Sequence, residues 1–287
     1  MNIDEYEDLV FTHTKEPSNE KTSWAPGGKL CLLFAEFRDL EIITYNIWNL
    51  AHVYGGCDVG LIIVYSGVNE KRIKDATRNW KGVRYVKAFD DNITVDEYSK
   101  LFVSSELWEH FSSFEYVLTN QWDSYLFRKI PEKFFEYDFV GSPCGHFYIL
   151  YGNRIINICS STCECDRCKS GDHSLKESNF VNSPYKKWFM FNGGFSLRKV
   201  DSIKKICREK RYSGEAEDIY FAISELSRPT REEAKEFGVQ DFPYDGVPVG
   251  CHQIWLRNDK EYVKNLFSQI DSTLPPHPGK DVTGVSS

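Results

Sequence analysis

Four short segments of the chain combine residue types that could bind a charged substrate or move a proton. The first is Gln121-Trp122-Asp123, which follows the apolar run 116–118 after Thr119 and Asn120. We predict that this run is a buried strand, and ligands of open α/β sheets bind beyond the carboxyl ends of the strands. An acid at that place can hold a divalent cation against a diphosphate, because hard cations take oxygen ligands from protein and phosphate together. The alternative is that Asp123 is a helix cap or a turn residue.

The second segment is Asn192-Gly193-Gly194, which leads into an apolar stretch. Two adjacent glycines permit positive φ angles and let a ligand approach the backbone closely. A ligand-binding loop and a simple tight turn are therefore the two interpretations of this segment.

The third and fourth segments carry groups that transfer protons or bind metals. Glu217 and Asp218 stand at what the sequence predicts to be the start of a helix. Carboxylates there can cap the helix, since the helix dipole favours negative charge at its N-terminus, or one of them can act as a general base. His252 lies between the glycine and the tryptophan of Gly250–Trp255, and a single histidine is either a structural residue or a ligand.

The elements that must position these residues alternate between strands and helices. Apolar runs predict strands, and apolar residues at helical spacing predict helices. We predict strands over 29–34, 60–65, 83–88, 116–118 and 189–198, and helices over 40–53, 70–80, 96–111, 199–210, 217–226 and 230–237. Their alternation predicts an α/β fold with a mostly parallel sheet flanked by helices.

The chain divides into a central domain and flanking segments. Residues 1–28 are polar and predict an irregular N-terminal arm, and residues 29–271 form the predicted domain. Within the domain, 142–187 is an irregular, cysteine-rich insertion. The Pro/Gly/Ser-rich stretch 272–287 predicts a disordered tail.

Composition excludes several classes of protein. The 287 residues suffice for one large domain, and a hydrophobic content of 41% allows a sizeable core. The formal charge of −7 argues against nucleic acid as a partner. The acidic beginning of the sequence lacks the pattern of a signal peptide, and the apolar runs are far shorter than the ~20 residues of a membrane helix. We therefore expect a soluble protein without a membrane span, in the cytoplasm, or in the host cytoplasm if the protein is viral.

The nine cysteines fall into two groups. Five are scattered, which predicts reduced, buried thiols rather than a disulfide framework: Cys31, Cys57, Cys144, Cys207 and Cys251. The other four form a cluster with one histidine: Cys159, Cys163, Cys165, Cys168 and His173. Such a cluster could bind a structural Zn²⁺, although it lacks the paired Cys-x-x-Cys knuckles of familiar zinc modules. Zinc, a disulfide and free thiols remain three alternatives.

Taken in chain order, the segments resemble a glycosyltransferase-like family of uncharacterised domains found in bacteria, algae and large DNA viruses. The resemblance covers roughly Lys29 to Trp255, and Tyr137–Pro143 and Asn192–Arg198 are its most specific parts. The matching pieces are 34–38, 98–108, 121–124, 137–143, 192–198, 217–221 and His252. The resemblance implies a single GT-A-like, Rossmann-like domain that binds a nucleotide sugar, interrupted by the irregular insertion on its acceptor side.

The resemblance also implies roles for the candidate residues. Asp123 would anchor Mn²⁺ or Mg²⁺, and His252 would complete the coordination. Gln121 departs from the Asp-x-Asp motif of such enzymes and could at most hydrogen-bond the ribose or a metal-bound water. The remaining donor-binding residues would be Glu36, Arg38, Trp122, Asn192, Gly193 and Gly194.

The implied reaction transfers a sugar from a nucleotide sugar, with UDP favoured, to a hydroxyl of a glycan or glycoprotein. Asp218 would be the base of an inverting displacement, with Glu217 beside it. One rival is a catalytically silent protein that binds nucleotide sugars or glycans, which Gln121 in place of an acid favours. Another is a zinc-organised interaction module. A nucleotidyltransferase is disfavoured because no Gly-rich phosphate loop follows the first strand.

Overall fold

A seven-stranded sheet forms the centre of the molecule. The computed structural model describes residues 1–17, 22–151, 154–159 and 187–270. The strands, in chain order, are β1 Gly28–Ala35, β2 Gly60–Ser66, β3 Arg84–Phe89, β4 Phe114–Asn120, β5 Ser124–Leu126, β6 Phe139–Tyr151, β7 Arg154–Cys159, β8 Lys187–Lys199, β9 Gly238–Val239 and β10 Gly250–His252.

The order of strands in the main sheet is β3-β2-β1-β4-β8-β6-β7. The first four are mutually parallel, whereas β8 pairs antiparallel with both β4 and β6, and β7 pairs antiparallel with β6. Five of the seven strands therefore point the same way. The predicted α/β class with a mostly parallel sheet flanked by helices is confirmed.

The helices cover both faces of this sheet. Their bounds are α1 Ile3–His13, α2 Ile42–Tyr54, α3 Glu70–Ala76, α4 Val95–Phe102, α5 Ser105–Glu109, α6 Val200–Glu209, α7 Glu217–Ala222, α8 Arg231–Phe237 and α9 Lys260–Ser268, with 3₁₀ turns at Glu132–Glu136 and Ile254–Leu256. The single helix predicted over 96–111 is wrong, because the chain leaves the helix at Val103 and Ser104 caps a second one by accepting from the Leu107 N–H.

The alternation of side chains along β1 creates two cores. Leu32 and Phe34 pack with α2 and α3 on one face, whereas Leu33 and Ala35 pack with α4 to α7 on the other. A strand that is covered on both faces is almost continuously apolar. This requirement explains the apolar run of β2, which is buried along its whole length and has Ser66 at its end.

The irregular arm predicted for residues 1–28 is wrong over its first half. Asn2 and Glu5 form a capping box that starts α1, and Tyr6 and Val10, four residues apart, are both fully buried. The Tyr6 ring centroid lies 4.3 Å from that of Trp255 and 6.1 Å from that of Phe267, which belongs to α9. The helix is mostly polar because only this narrow stripe is covered.

The irregular insertion predicted over 142–187 is wrong at its beginning. Residues 142–151 belong to β6, which pairs with β7 and extends the main sheet. Cys159 ends β7 and is buried. Cys163, Cys165, Cys168 and His173 lie outside the described residues, as does the predicted tail 272–287, so the zinc site and the tail stay predictions.

A second, three-stranded sheet pairs β9 and β10, from residues 238–252, with β5, which follows β4 of the main sheet. Its order is β5-β10-β9, and His252 is aligned with Ser124 across the antiparallel pair β10–β5. The five scattered cysteines are free thiols, of which Cys31, Cys144 and Cys251 are buried. Within the described part of the chain, no helix is long and apolar enough to cross a membrane.

Candidate active site

A cavity of about 330 Å³ lies at the carboxyl ends of β1 and β4. Nine of the eleven predicted substrate-, metal- or proton-binding residues line it: Glu36, Arg38, Gln121, Asn192, Gly193, Gly194, Glu217, Asp218 and His252. The other two, Trp122 and Asp123, lie behind the lining, in contact with Arg38 and His252 respectively. The structure therefore brings the four segments together.

The Asp123–His252 pair stands at one side of the cavity, with His252 in the lining and Asp123 directly behind it. The Asp123 Oδ1 atom lies 3.2 Å from His252 Nε2, and both side chains are almost completely buried. Oδ2 accepts a hydrogen bond of 2.7 Å from the Gln253 amide, whereas Oδ1 has, among the described residues, only the His252 ring beside it. Burial raises the pKa of Asp123, but the charge and hydrogen bond of His252, together with the Gln253 amide, outweigh it and hold the pKa below its usual range.

The absence of a side chain at Gly194 leaves room for two further atoms that could bind a metal. A Cβ atom built at Gly194 would overlap Gln121 Oε1 and would stand 2.5 Å from His252 Nε2. A carboxylate oxygen, an amide oxygen and an imidazole nitrogen thus converge, and such atoms suit Mn²⁺. No group of three among His, Cys, Asp and Glu that could hold a metal occurs in the described residues. The candidate ligands near Gly194 include only two residues of these types, Asp123 and His252, and Gln121 would be the third ligand.

We expect Gly194→Ala to weaken Mn²⁺ binding by at least about tenfold, because the added methyl group must displace the Gln121 and His252 side chains from the site. Gly193→Ala is the matched control, since its methyl group would meet Glu217 and Arg198 instead. Calorimetric titration with Mn²⁺ compares the two variants. Equal losses of affinity would show that Gly194 has no special place beside the metal.

Glu217 occupies the opposite side of the cavity and is held by a buried arginine. Arg198 Nη2 lies 3.3 and 3.2 Å from the two Glu217 oxygens and donates to the Gly193 carbonyl at 3.0 Å. The guanidinium is fully buried, 5.0–5.6 Å from four ring centroids: Phe102, Trp108, Phe139 and Phe221. These contacts fix the Glu217 carboxylate in one place.

Asp218, next to Glu217, has a different environment. Its Oδ1 atom accepts from the Ile219 N–H at 2.7 Å, and among the described residues it forms no ion pair. Burial and the neighbouring Glu217 charge raise the pKa of Asp218 to about 7. A carboxylate without a cation partner and with such a pKa suits proton abstraction near neutral pH.

Glu36 and Arg38 form a closed pair at the end of β1. Glu36 accepts from the backbone N–H groups of Phe37 and Arg38 at 2.9 and 3.0 Å. It also accepts from Arg38 Nε and Nη2 at 2.8 and 2.9 Å. The half-exposed Arg38 guanidinium lies 5.1 Å from the Trp122 ring centroid. Glu36 therefore holds the Arg38 guanidinium at the cavity, with the Trp122 ring behind it.

Sequence reasoning missed several residues of the site. The loop before α4 contributes Asn92 and Ile93 to the lining, and the first residue of α4, Val95, contributes too and is 75% exposed. Arg198 lies in the segment 192–198, for which the sequence predicted no role of this residue. A charged residue next to the apolar Phe195 and Leu197 in a predicted strand could have indicated one. Gln253 gave no such signal, because only the folded chain brings it to Asp123.

Comparison with known proteins assigns the chain to a family. Residues 84–252, more than half of the chain, match the model of the family described as protein of unknown function (DUF5672), and the chain belongs to that family. The matched region contains every candidate site residue except Glu36 and Arg38. No curated protein matches the chain significantly.

Three solved structures illustrate the similar folds. A galactosyltransferase LgtC in complex with donor and acceptor sugar analogues is 9% identical, with a TM-score of 0.46, over 87% of this chain and 98% of LgtC. The bifunctional glycosyltransferase WbbM is 11% identical, with a TM-score of 0.44, over 91% of this chain and 51% of WbbM. The glycosyltransferase GlyE of Streptococcus pneumoniae TIGR4 is 13% identical, with a TM-score of 0.39, over 85% and 62%.

Proposed function

We propose that the protein is a metal-dependent glycosyltransferase that moves a sugar from a nucleotide sugar, with UDP as the favoured nucleotide, to a hydroxyl of a glycan or glycoprotein. The observation that carries the proposal is the cavity at the strand ends, with Asp123 and His252 on one side and Glu217 and Asp218 on the other. Gly193 faces Glu217 and the next residue, Gly194, faces His252, so the two sides lie on adjacent residues of β8. A diphosphate leaving group needs a cation, and a hydroxyl nucleophile needs a base.

The chain's own residues fit a divalent cation. Asp123, His252 and the Gln121 amide oxygen would hold Mn²⁺ or Mg²⁺, and the Asp123 Oδ1 atom beside the His252 ring is the group that such an ion would satisfy. When bound, the cation supplies Lewis-acid neutralisation of the charge that develops on the leaving diphosphate. Arg38 and Trp122 bind the nucleotide end of the donor, and Asn192 with the glycine pair borders the transferred sugar.

Asp218 is the base of the proposed reaction. It takes the proton of the acceptor hydroxyl while the oxygen bonds to the anomeric carbon and the bond from that carbon to the donor phosphate breaks. A single displacement of this kind inverts the anomeric configuration. Glu217 is less suited to accept a proton, because Arg198 holds its carboxylate in an ion pair, and we assign it to orienting a substrate hydroxyl.

The experiment that tests the proposal is a thermal-shift screen of nucleotide sugars with Mn²⁺, followed by measurement of nucleotide release. A ligand present at about 100 times its dissociation constant adds about 2.7 kcal/mol of stability, so the right donor raises Tm. Slow release of free nucleotide then shows turnover without an acceptor. Binding without any release would favour the silent nucleotide-sugar-binding protein that Gln121 suggests, and no binding would reject both.

A further inference from the structure

Gln240, which follows β9, contacts the His252 ring from the side that faces away from Asp123. We infer that Gln240 is a positioning residue that keeps a proton on His252 Nδ1 and thereby presents the Nε2 lone pair to a divalent cation. The inference rests on the proposed function, because it concerns the metal side of the same cavity. Gln240 does not itself line the cavity and acts only through His252.

The two ring nitrogens of His252 face different partners. Nδ1 lies 3.0 Å from Gln240 Oε1, and Nε2 lies 3.2 Å from Asp123 Oδ1. The amide oxygen of Gln240 can only accept a hydrogen bond, so Nδ1 must donate. Without a metal, Asp123 Oδ1 can accept a hydrogen bond from a proton on Nε2. A divalent cation takes the place of that proton, and the neutral ring then keeps its single N–H on Nδ1. Only an unprotonated nitrogen can bind a metal.

The contact of Gln240 Nε2 with Cys144 determines which way the amide points, and a bond to the backbone carbonyl anchors the residue. Its Nε2 group donates to the buried Cys144 Sγ atom at 3.5 Å, and its backbone carbonyl accepts from Asn258 Nδ2 at 2.5 Å. Asn258 Nδ2 also donates to the Ile254 carbonyl at 3.0 Å, which ties Gln240 to the turn that follows His252. A reversed amide would place its N–H₂ group against Nδ1 and move the ring proton to Nε2, where it would compete with the cation.

This arrangement is the usual way in which proteins fix a histidine ligand. The second ring nitrogen donates to a carbonyl or carboxylate, and removal of that partner typically costs about 10–100-fold in metal affinity. His252 is only 2% exposed, so water cannot take over the role of Gln240 without repacking. The geometry therefore predicts that metal affinity depends on a residue that touches neither metal nor substrate.

The test compares Gln240→Leu with Gln240→Glu in the full-length chain. Calorimetric titration with Mn²⁺ alone should show an affinity about 10–100-fold lower for the leucine variant. The glutamate variant should bind Mn²⁺ nearly as the unaltered protein does, because its carboxylate still accepts from Nδ1. ¹⁵N NMR of the metal-free protein supplies a second readout, in which a ring N–H protected from exchange on Nδ1 should vanish in Gln240→Leu and persist in Gln240→Glu.

Each outcome decides the matter. Unchanged Mn²⁺ affinity in Gln240→Leu, equal losses in both variants, or an unprotonated Nδ1 in the unaltered protein would overturn the inference while leaving the proposed function intact. If the leucine variant does not fold, the NMR spectrum of the unaltered protein and the affinity of the glutamate variant still decide it. Failure of the unaltered protein to bind Mn²⁺ would reject metal-dependent transfer, and the role of Gln240 with it.

Discussion

Asp123→Asn should abolish Mn²⁺-dependent binding of a nucleotide sugar and leave the chain folded. The substitution removes the carboxylate that faces His252, while the amide keeps the size of the side chain and can still face Gln253 and His252. Calorimetry with UDP-sugars in the presence and absence of Mn²⁺ measures the loss. His252→Ala should weaken the metal less, because it removes a neutral ligand rather than a charge.

An unchanged affinity in Asp123→Asn would remove Asp123 from the metal site. A far-UV spectrum and a Tm close to those of the unaltered protein are the necessary control, because Asp123 is buried. The gain or loss of Mn²⁺ dependence, rather than affinity alone, is the informative quantity. If the unaltered protein binds the donor equally well without Mn²⁺, the metal site is rejected and the proposed nucleotide contacts of Arg38 and Trp122 alone account for binding.

Asp218→Asn should bind donor and metal normally and lose about 10²–10⁴-fold in turnover, the usual cost of removing a general base. The loss should appear in kcat rather than in donor affinity. Because the pKa of Asp218 is raised to about 7 and the base must be unprotonated, the turnover of the unaltered enzyme should rise as pH increases through about 7. Near-normal turnover in Asp218→Asn, or a retained product, would leave Asp218 as a helix residue without a catalytic role.

Stability provides an independent view of the same carboxyl group. A carboxyl whose pKa is raised on folding holds its proton more tightly in the folded state than in the unfolded chain. Its contribution to the free energy of unfolding is therefore largest at low pH and is lost as pH rises from about 4 to about 7. Asp218→Asn should remove that part of the pH dependence, which denaturant unfolding at several pH values measures.

Glu217→Gln is the matched control, and we expect its effect mainly in stability. Arg198 is fully buried and has Glu217 as its ion-pair partner in the described structure. Breaking a buried pair by neutralising one partner typically costs about 3–5 kcal/mol, since the other charge is left uncompensated. Substitution of Asp218 should therefore lower turnover, whereas substitution of Glu217 should mainly lower stability.

Much of the fold could be predicted because buried strands and amphipathic helices leave local patterns. The run 60–65 in β2 is apolar because both faces of the strand are covered. Asp123 follows the end of β4, and Glu217 and Asp218 stand at the start of α7, so these acids indicated where the elements end or begin. The contacts between distant segments left no such pattern. His252 reaches Asp123 through the pairing of β10 with β5, and Arg198 reaches Glu217 across the end of β8. Helix α1 could not be predicted from its apolar residues, because only Tyr6 and Val10 are buried and two apolar positions in a polar segment do not distinguish a helix from a loop.

The small sheet has a consequence for how the protein is made. The parallel strands β1 to β4 lie within the first 120 residues and can pair early during synthesis. The side of the cavity that carries His252 cannot, because β10 must leave the ribosome before it can pair with β5. Helix α1 contacts α2 through Phe11 and Tyr45, but its Tyr6 side is covered by Trp255 and Phe267 only when these residues emerge. Contacts of such long sequence separation form late. A nascent or truncated chain that lacks α9 would expose the Tyr6 side of α1, and a chaperone that binds apolar surface would have its target there.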